Sequence, residues 1–351
     1  PGLPLSFLDH NFVVGNSLIG VGAASEIRTR FEAVGGGLFP VDAEGLLGAA
    51  AAPLKLFNKL TDSSKADVEA ARAAVFTAKH AVAPTAALCD IMTAQSIEGP
   101  EAIQFQYSDW KRLKDGLPSS KIHRKARAAL EGLKPLHFAV AFPEVFLRER
   151  AGFDVILGNP PWQEVTIEEH AFWARHFPGM RGLAQKEQEK AKEKHGRERP
   201  DLVRQYEAEV LETEKMRKAL TSGGFPGMGT GDPDVYKAFC WRFFNLVTAD
   251  GGWIGVVLPR SALAAKGSTE FRESVFKGAN PVDITMVLNR GGWVFDDAEH
   301  RYTIGLVAMK RAMPKGESIS LRGPYATLER YQAGILKPAS AFSAADVMSW
   351  T

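Results

Sequence analysis

The stretch Gly-Phe-Asp-Val-Ile-Leu-Gly-Asn-Pro-Pro-Trp, residues 152–162, decides how the rest of this chain is interpreted. Residues 153–157 form a short, largely apolar run, which is typical of a strand buried inside a parallel sheet. The run stops at Gly158, and two successive prolines then fix two φ angles and remove two backbone N–H donors. Because ligands of doubly wound sheets bind beyond the carboxyl ends of strands, the pattern predicts a stiff functional loop at 159–162.

The loop carries groups suited to an exocyclic amine on an extruded nucleic-acid base. Such an amine is a poor nucleophile, because its lone pair is delocalised into the ring. The side-chain oxygen of Asn159 and the carbonyl of Pro160 can accept its two N–H groups and direct the lone pair at a methyl donor. Trp162 can stack on the ring, as aromatic residues do in base-flipping enzymes. The alternative is a rigid turn between a strand and a helix, with no chemistry.

Composition excludes several classes of protein. The chain has 351 residues, of which 45% are hydrophobic and 24% charged, as in ordinary globular proteins and unlike disordered ones. Its two cysteines, Cys89 and Cys240, are far apart and lack a CxxC partner, so neither a disulfide framework nor a metal site is expected. No apolar run approaches the roughly 18 residues of a membrane span, and no signal peptide is visible. We therefore expect a cytoplasmic protein without membrane contact.

Further buried strands are predicted at four places: near 11–14, 253–258, 284–288 and 302–309. Helical patterns lie between them, and this alternation favours an α/β sheet with helices on both faces. Two long stretches, 40–136 and 163–230, have helical spacing, and we interpret them as large, peripheral helical insertions.

One segment, 111–127, is locally basic in a chain whose net charge is only +2. Its cations, which stand against Asp115, are Lys111, Arg112, Lys114, Lys121, Arg124, Lys125 and Arg127. These side chains indicate either a solvated helix face or a patch that contacts phosphates, and the sequence leaves both interpretations open.

Four segments together resemble a known family: VVGNSLIGVG (13–22), GFDVILGNPPW (152–162), GDPDVYKAFCWRFF (231–244) and GGWIGVVLPRSAL (251–263). They resemble the adenine-specific DNA methyltransferases of restriction–modification and phage-defence systems, above all the large class IIS/IIG enzymes and the BREX and DISARM methylases. The resemblance implies a partial Rossmann-like methyltransferase sheet, S-adenosylmethionine as methyl donor and the 6-amino group of adenine in double-stranded DNA as acceptor. It covers roughly 1–39, 137–162 and 231–312.

The resemblance also assigns roles to residues of this chain. The catalytic motif is matched by Asn159, Pro160, Pro161 and Trp162. Asn16 and Ser17 lie in the loop that contacts the cofactor together with Asn159, and Asn16 can accept a hydrogen bond through its side-chain oxygen. Phe295 matches the aromatic residue that stacks on the target base opposite Trp162. The alternative for Phe295 is an ordinary core aromatic beside Trp293 and Val294.

One family feature is missing. An Asp-Pro-x-x-Gly-x-Gly cofactor loop is expected ahead of the Gly-Asn-Ser-Leu segment, and none is present. A permuted order that uses Gly227–Gly231 is an alternative, but a lone glycine cluster is weak evidence. We therefore expect the chain to be a fragment that lacks the N-terminal half of its cofactor site.

The resulting division of the chain has six parts. They are a cofactor-side core segment (1–39), a helical insertion (40–136), the core strand with the catalytic loop (137–162), a charged helical insertion (163–230), the C-terminal core (231–312) and the start of a linker or target-recognition region (313–351).

The expected function is site-specific methylation of DNA adenine within a restriction–modification or phage-defence system, with other subunits of that system as further partners. Two alternatives stay open. One is a catalytically inactive methyltransferase-fold module that binds DNA or a partner. The other is methylation of a protein amide, because Asn-Pro-Pro-aromatic loops also act on glutamine.

Overall fold

A computed structural model describes residues 12–32, 43–57, 64–228, 233–296, 298–312, 319–343 and 346. In this part of the chain six strands form one sheet: β1 (Val155–Gly158), β2 (Trp253–Pro259), β3 (Ala279–Leu288), β4 (Thr303–Arg311), β5 (Ile319–Tyr325) and β6 (Ser340–Phe342). Their order across the sheet is β1-β2-β4-β3-β5-β6. The α/β fold class that the sequence predicts is confirmed.

The sheet is mixed. β1 pairs with β2 in parallel, with Ile156 opposite Ile254. β4 lies antiparallel between β2 and β3, and β5 then continues the sheet in parallel beyond β3. Short β6 closes that side in antiparallel orientation. Residues 319–325 and 340–342, which lie in the stretch predicted as the start of a linker or target-recognition region, therefore extend the same sheet.

The helices of the first half of the chain are α1 (Ala24–Phe31), α2 (Ala43–Gly48), α3 (Ala51–Phe57), α4 (Lys65–Ala81), α5 (Ala83–Glu98), α6 (Tyr107–Leu113), α7 (Lys121–Ala129), α8 (Phe138–Ala141) and α9 (Pro143–Phe146). Those that follow β1 are α10 (Glu169–His176), α11 (Gln185–Glu198), α12 (Pro200–Thr221), α13 (Val235–Leu246), α14 (Arg260–Ala264), α15 (Thr269–Lys277) and α16 (Leu328–Ile335). Among the described residues, no helix combines the length and the apolar character that crossing a membrane requires.

Helix α13 covers one face of the sheet. Its residues at helical spacing, Tyr236, Cys240 and Phe244, are buried in one cluster with alternate residues of β2 such as Ile254 and Val256. A spacing of four residues on a helix and of two on a strand each present one face, so the two elements bury their apolar sides against each other. Helix α15 adds further apolar residues to the same cluster.

The other face of β1 and β2 is open, which contradicts the expectation of a buried first strand with helices on both faces. Val155 is 57% exposed, Leu157 is 80% exposed and Trp253 is 40% exposed. β1 also pairs with β2 alone among the described strands. A strand that is apolar on both faces is normally covered on both, so the sequence pattern indicates more burial than the described residues supply.

The predicted strand near 11–14 is wrong for the residues that the structure describes. Asn11 lies outside them, and residues 12–14 join no strand. Phe12 is 75% exposed and Val14 is 95% exposed. The local apolar pattern favours extended backbone, but the adjoining Asn16 makes only an isolated bridge to Pro135 and no ladder.

The first predicted insertion is helical but not peripheral. Leu88 and Ile91 of α5 and Leu117 lie in one buried cluster with Ile19 and Val21 from the loop near the start of the chain. The helices therefore build the core on which the 15–22 loop rests. The second predicted insertion, 163–230, is also mainly helical, and most of its α11 surface is exposed.

Candidate active site

The loop after β1 is held close to α13 and exposes its amide. A Cβ atom at Gly158 would lie 2.5 Å from Cζ of Phe243, so any larger residue here would require the Phe243 ring to move. The next residue, Asn159, is exposed, whereas Pro160 is buried. No described residue hydrogen-bonds the Asn159 side chain, so its amide oxygen is available to a ligand.

Trp162 is fixed against the sheet. Its Nε1–H donates to the carbonyl of Val257 at 3.3 Å. Its ring stands edge-on to Tyr302 with 6.1 Å between the centroids, and Tyr302 is 51% exposed. Tyr302 was not predicted as a site residue. It lies just before β4, and because β4 runs antiparallel to β2, this position is at the carboxyl end of β2.

A short antiparallel bridge ties the loop to the start of α13. The Val165 N–H donates to the Pro233 carbonyl at 3.0 Å, and the Val235 N–H donates to the Gln163 carbonyl at 3.1 Å. Helix α13 runs from this point to Val247, which bridges Phe153 just ahead of β1. The N-terminal end of α13 therefore lies at the carboxyl edge of β1, beside the loop 159–162.

The 15–22 loop reaches the same end of the sheet. Leu18 is buried in one cluster with Val165, Val235 and Ala238. Both loops with predicted roles thus contact the N-terminal part of α13, which places Asn16 and Asn159 at one end of the sheet.

The side-chain oxygen of Asn16 is hydrogen-bonded within its own loop. Its Oδ1 accepts from the N–H groups of Leu18 at 3.1 Å and Ile19 at 3.3 Å, which closes a local turn. Its Nδ2 lies 3.8 Å from the sulfur of Met216. The oxygen that was expected to contact the cofactor is therefore used within the loop, and the second N–H of the amide nitrogen is the group left for a ligand. Ser17 is half-buried beside it.

A buried arginine fastens the 15–22 loop to α13. Arg242 is 2% exposed, and its Nη2 donates to the carbonyls of Leu18 at 2.9 Å and Gly20 at 3.1 Å. Its Nη1 lies 3.0 Å from Oε2 of Glu26, which also accepts the Gly22 N–H at 2.6 Å. Sequence reasoning missed this group, although an arginine in the middle of an apolar helix was the signal for it.

The electrostatics of Glu26 follow from these contacts. Burial by itself raises the pKa of the Glu26 carboxyl, but the guanidinium groups of Arg242 and Arg30 act against it and hold the pKa below its usual value. The carboxylate is thus ionised, and the pair binds the loop as a buried, charge-assisted contact.

Two histidines share one aspartate behind the same loop. Oδ2 of Asp90 lies 2.9 Å from Nε2 of His123, and Oδ1 lies 3.1 Å from Nε2 of His137. The Val21 N–H donates to His137 Nδ1 at 3.0 Å, so this ring nitrogen acts as an acceptor. His123 instead faces the Pro118 carbonyl with Nδ1 at 2.9 Å, so both of its ring nitrogens lie against oxygen acceptors.

The hydrogen bonds between Asp90 and the two histidines shift the pKa values of Asp90 and His123. The hydrogen bond to Asp90 raises the pKa of His123 above its usual value, against the opposing effect of burial. For Asp90, burial raises the pKa, but the hydrogen bonds from His123 and His137 outweigh it and lower the pKa to about 2.

Phe295 lies apart from the contacts around Trp162. It is half-buried, and its N–H donates to Oδ1 of Asn289 at 3.0 Å while its carbonyl accepts from Nδ2 of the same residue at 2.9 Å. Asn289 is fully buried and shapes the loop between β3 and β4. The aromatic that the structure brings to Trp162 is Tyr302, and no described contact joins Phe295 to Trp162.

Two concave regions flank the sheet. A cleft of about 600 Å³ adjoins Trp162 and is lined by Tyr236, Lys237 and Ser261. A larger cavity of about 1260 Å³ is lined by Gly152 and Val247, so it lies at the opposite end of β1 from Asn159. The smaller cleft is therefore the one next to the candidate loop. In the described part of the chain, no three His, Cys, Asp or Glu side chains are arranged to hold a metal ion.

The glycine cluster of the permuted alternative lies partly outside the described residues, which end at Met228 and resume at Pro233. Gly227 has a φ of +72° and would place a Cβ atom 2.7 Å from the Phe271 nitrogen. It packs closely against α15 and follows α12 rather than a strand.

Residues 60–203 match the family model of the Eco57I restriction-modification methylases. The matched segment contains one of the four resembling segments, 152–162, and much of the two stretches interpreted as insertions; the other three segments lie outside it. No curated protein sequence matches the chain.

Three solved structures have distant likeness to the chain. They are a nuclease-deletion mutant of the Type ISP restriction-modification enzyme LlaGI in complex with a DNA substrate mimic (12% identity, TM-score 0.35), the ATP-dependent Type ISP restriction-modification enzyme LlaBIII bound to DNA (11%, 0.33) and a DrdV–DNA complex (12%, 0.27). The alignments cover 75%, 73% and 93% of this chain but only 27%, 19% and 31% of those chains. Likeness at these TM-scores supports no argument about function.

Proposed function

We propose that this chain carries the catalytic half of a DNA adenine methyltransferase, which transfers a methyl group from S-adenosylmethionine to the 6-amino group of adenine in double-stranded DNA. The supporting observation is the loop 159–162. It follows β1 at the carboxyl edge, exposes the Asn159 amide and lies inside the segment that matches restriction-modification methylases. A restriction–modification or phage-defence system is the setting that this family match favours.

The residues of the loop act on the target amine. The Asn159 side-chain oxygen and the Pro160 carbonyl accept its two N–H groups and aim its lone pair outward. The two prolines hold both acceptors in position before the substrate arrives, so little reorganisation is needed during the reaction. Trp162, held by Val257 and Tyr302, offers an aromatic surface to the extruded base. S-adenosylmethionine, when bound, supplies an electrophilic methyl group.

The described residues fit one side of such a cofactor. Asn16 and Ser17 lie at the same end of the sheet as Asn159, and the Asn16 amide nitrogen can donate to a ligand. The sequence contains no Asp-Pro-x-x-Gly-x-Gly segment for the opposite side. Among the described strands β1 pairs with β2 alone, and Val155 and Leu157 are exposed. Both observations support a source for the missing cofactor contacts: further strands that pair with β1.

The second candidate function is a methyltransferase-fold module that binds DNA or a partner without catalysis. The missing glycine-rich loop favours it. Isothermal titration of the full-length protein with S-adenosylmethionine separates the two, because the inactive module binds no cofactor.

The direct test is methyl transfer by the full-length protein with labelled S-adenosylmethionine. Duplex DNA and total cell protein are offered as separate acceptors, and labelled DNA is digested to nucleosides. The proposal predicts label in N6-methyladenine. Label in a protein glutamine, or in no acceptor while the cofactor binds, would contradict it.

A further inference from the structure

We propose that the outer face of helix α7, formed by Lys121, Arg124, Lys125 and Arg127, binds the phosphate backbone of duplex DNA. The inference rests on the proposed function, because that function supplies the DNA. It selects the second of the two interpretations that the sequence leaves open for the basic segment.

Helix α7 separates its charges from its apolar side chains completely. His123 and Ala126 are buried, and Ile122 packs against the same core. The outward residues are Lys121, Arg124, Lys125, Arg127 and Ala128, and all of them are exposed. One side of the helix is therefore a continuous basic surface.

The charges on this face are not balanced by acids. Between 111 and 127 the chain has seven cations and one acid, Asp115. The four cations of the face form no ion pair within the described part of the chain. Helix α11 shows the contrast: its cations alternate with glutamates, as in the pairs Lys194–Glu198 and Arg197–Glu193. A cluster of Lys and Arg on one helix face, in excess over the nearby acids Asp90 and Glu131, is the electrostatic footprint of a phosphate-binding surface.

The helix is held rigidly beneath the face. The Ser120 hydroxyl caps it by accepting the His123 N–H at 3.2 Å. The buried ring of His123 is held by Asp90 and by the Pro118 carbonyl. Arg124 donates from Nη1 to the Ser119 carbonyl at 2.7 Å, which orients its guanidinium and leaves the remaining N–H groups free to bind an anion.

The spacing and position suit DNA. One helical step of four residues, from Lys121 to Lys125, advances about 6 Å. Phosphates of one strand follow each other about every 3.4 Å along the duplex axis, so these two side chains can contact different phosphates of one strand. The chain leaves α7 towards Lys134, whose carbonyl accepts the Asn16 N–H at 2.8 Å. Arg124, Arg127 and Lys134 also line a cleft of about 470 Å³, together with the acids Asp90 and Glu131. A duplex on α7 thus lies beside the loop that carries Asn16.

The face lacks what other partners require. A helix that lies on a membrane inserts large apolar side chains, and a protein interface is centred on aromatic or other large anchors. The exposed side of α7 has only Ala128 besides its cations. Contact with a polyanion is the recognition that this surface can provide.

The test removes three charges and compares the result with a matched removal elsewhere. The test variant is Lys121→Gln/Lys125→Gln/Arg127→Gln, which spares Arg124 because that side chain also binds the backbone. The control is Lys190→Gln/Lys194→Gln/Arg197→Gln on α11, which removes the same charge from equally exposed positions. Anisotropy of a fluorescein-labelled duplex is measured with the full-length proteins between about 50 and 200 mM salt, and urea midpoints verify folding.

The test variant should bind at least about tenfold more weakly at low salt. Its slope of log K against log[salt] should flatten by roughly 2 to 3, because each lost phosphate contact contributes about 0.9. The control should match wild type. A test variant that binds like wild type, or a control that weakens equally, overturns the inference. Methyl transfer measured on the same samples tests the proposed function separately. A wild type that binds DNA through α7 but transfers no methyl group overturns only the proposed function.

Discussion

Arg242 Nη1 lies 3.0 Å from Glu26 Oε2, and this pair joins α13 to the start of α1 across 216 positions of sequence. The guanidinium is buried, and its second nitrogen holds the carbonyls of Leu18 and Gly20. One ion pair therefore connects the element beside the candidate catalytic loop with the loop that carries Asn16.

Replacing Arg242 with methionine should lower the free energy of unfolding by about 1–3 kcal/mol, because the buried Leu18 carbonyl then lacks a donor and Glu26 keeps only its pair with Arg30. Urea unfolding followed by circular dichroism measures the change. The matched control is Arg301→Met, which removes an arginine from the exposed pair with Glu299 and should leave the urea midpoint unchanged. A small effect of Arg242→Met would show that the pair does not stabilise the loop.

The Asp90–His123 bond should make stability depend on pH. The folded pKa of His123 is raised, so its contribution is fully present below the usual value of 6.5 and is lost as the pH rises through the folded pKa. Wild type should therefore lose more unfolding free energy than His123→Gln when the pH rises from 6.5 through that folded value. Urea unfolding at both ends of the window tests this, and parallel pH curves for the two proteins would contradict it.

Trp162 should contribute to DNA binding through its aromatic ring. In the full-length protein, Trp162→Ala should raise the KM for DNA by roughly 5- to 150-fold, because stacking on a base is worth about 1–3 kcal/mol. Trp162→Phe retains an aromatic face and should keep most activity, although it loses the bond to the Val257 carbonyl. Steady-state kinetics of both variants decide the point. Equal losses for Ala and Phe would assign the role to the indole N–H instead.

The open edge of β1 gives a further prediction. Leu157 is 80% exposed, so Leu157→Asp should leave the unfolding free energy of the 351-residue chain unchanged. In the full-length protein the same change should weaken S-adenosylmethionine binding at least about tenfold, as expected when an apolar side chain at a packed contact is replaced by a charge. Calorimetric titration measures it, and unchanged affinity would remove the support for strands that pair with β1.

Local patterns determined how much of the fold could be predicted from the sequence. The strands near 253–258, 284–288 and 302–309 and the helices of both long stretches are present, because alternation and helical spacing report local conformation. The exposure of Leu157 was missed because a pattern shows which side chains are apolar, not whether a neighbour covers them. The sheet order and the paired β5 depend on contacts that no local pattern encodes.

The same distinction between local patterns and contacts made by the fold applies to the candidate site. The loop 159–162 could be found because a rigid dipeptide after a strand is a local signal. Arg242 with Glu26, and Asp90 with its two histidines, are brought together only by the fold. Tyr302 was missed for the same reason, since its contact with Trp162 joins two distant parts of the chain.

The central claim is that the Asn159 amide stabilises the transition state of methyl transfer to adenine. The most direct measurement is the single-turnover rate of N6-methyladenine formation by full-length Asn159→Ala, with DNA and cofactor affinities measured in parallel. Asn245→Ala, an exposed asparagine at the other end of α13, is the control. We expect a loss of about 100- to 1000-fold in rate for Asn159→Ala with affinities largely retained, and no loss for the control. A rate for Asn159→Ala within about threefold of wild type, outside the range expected for such a group, would contradict it.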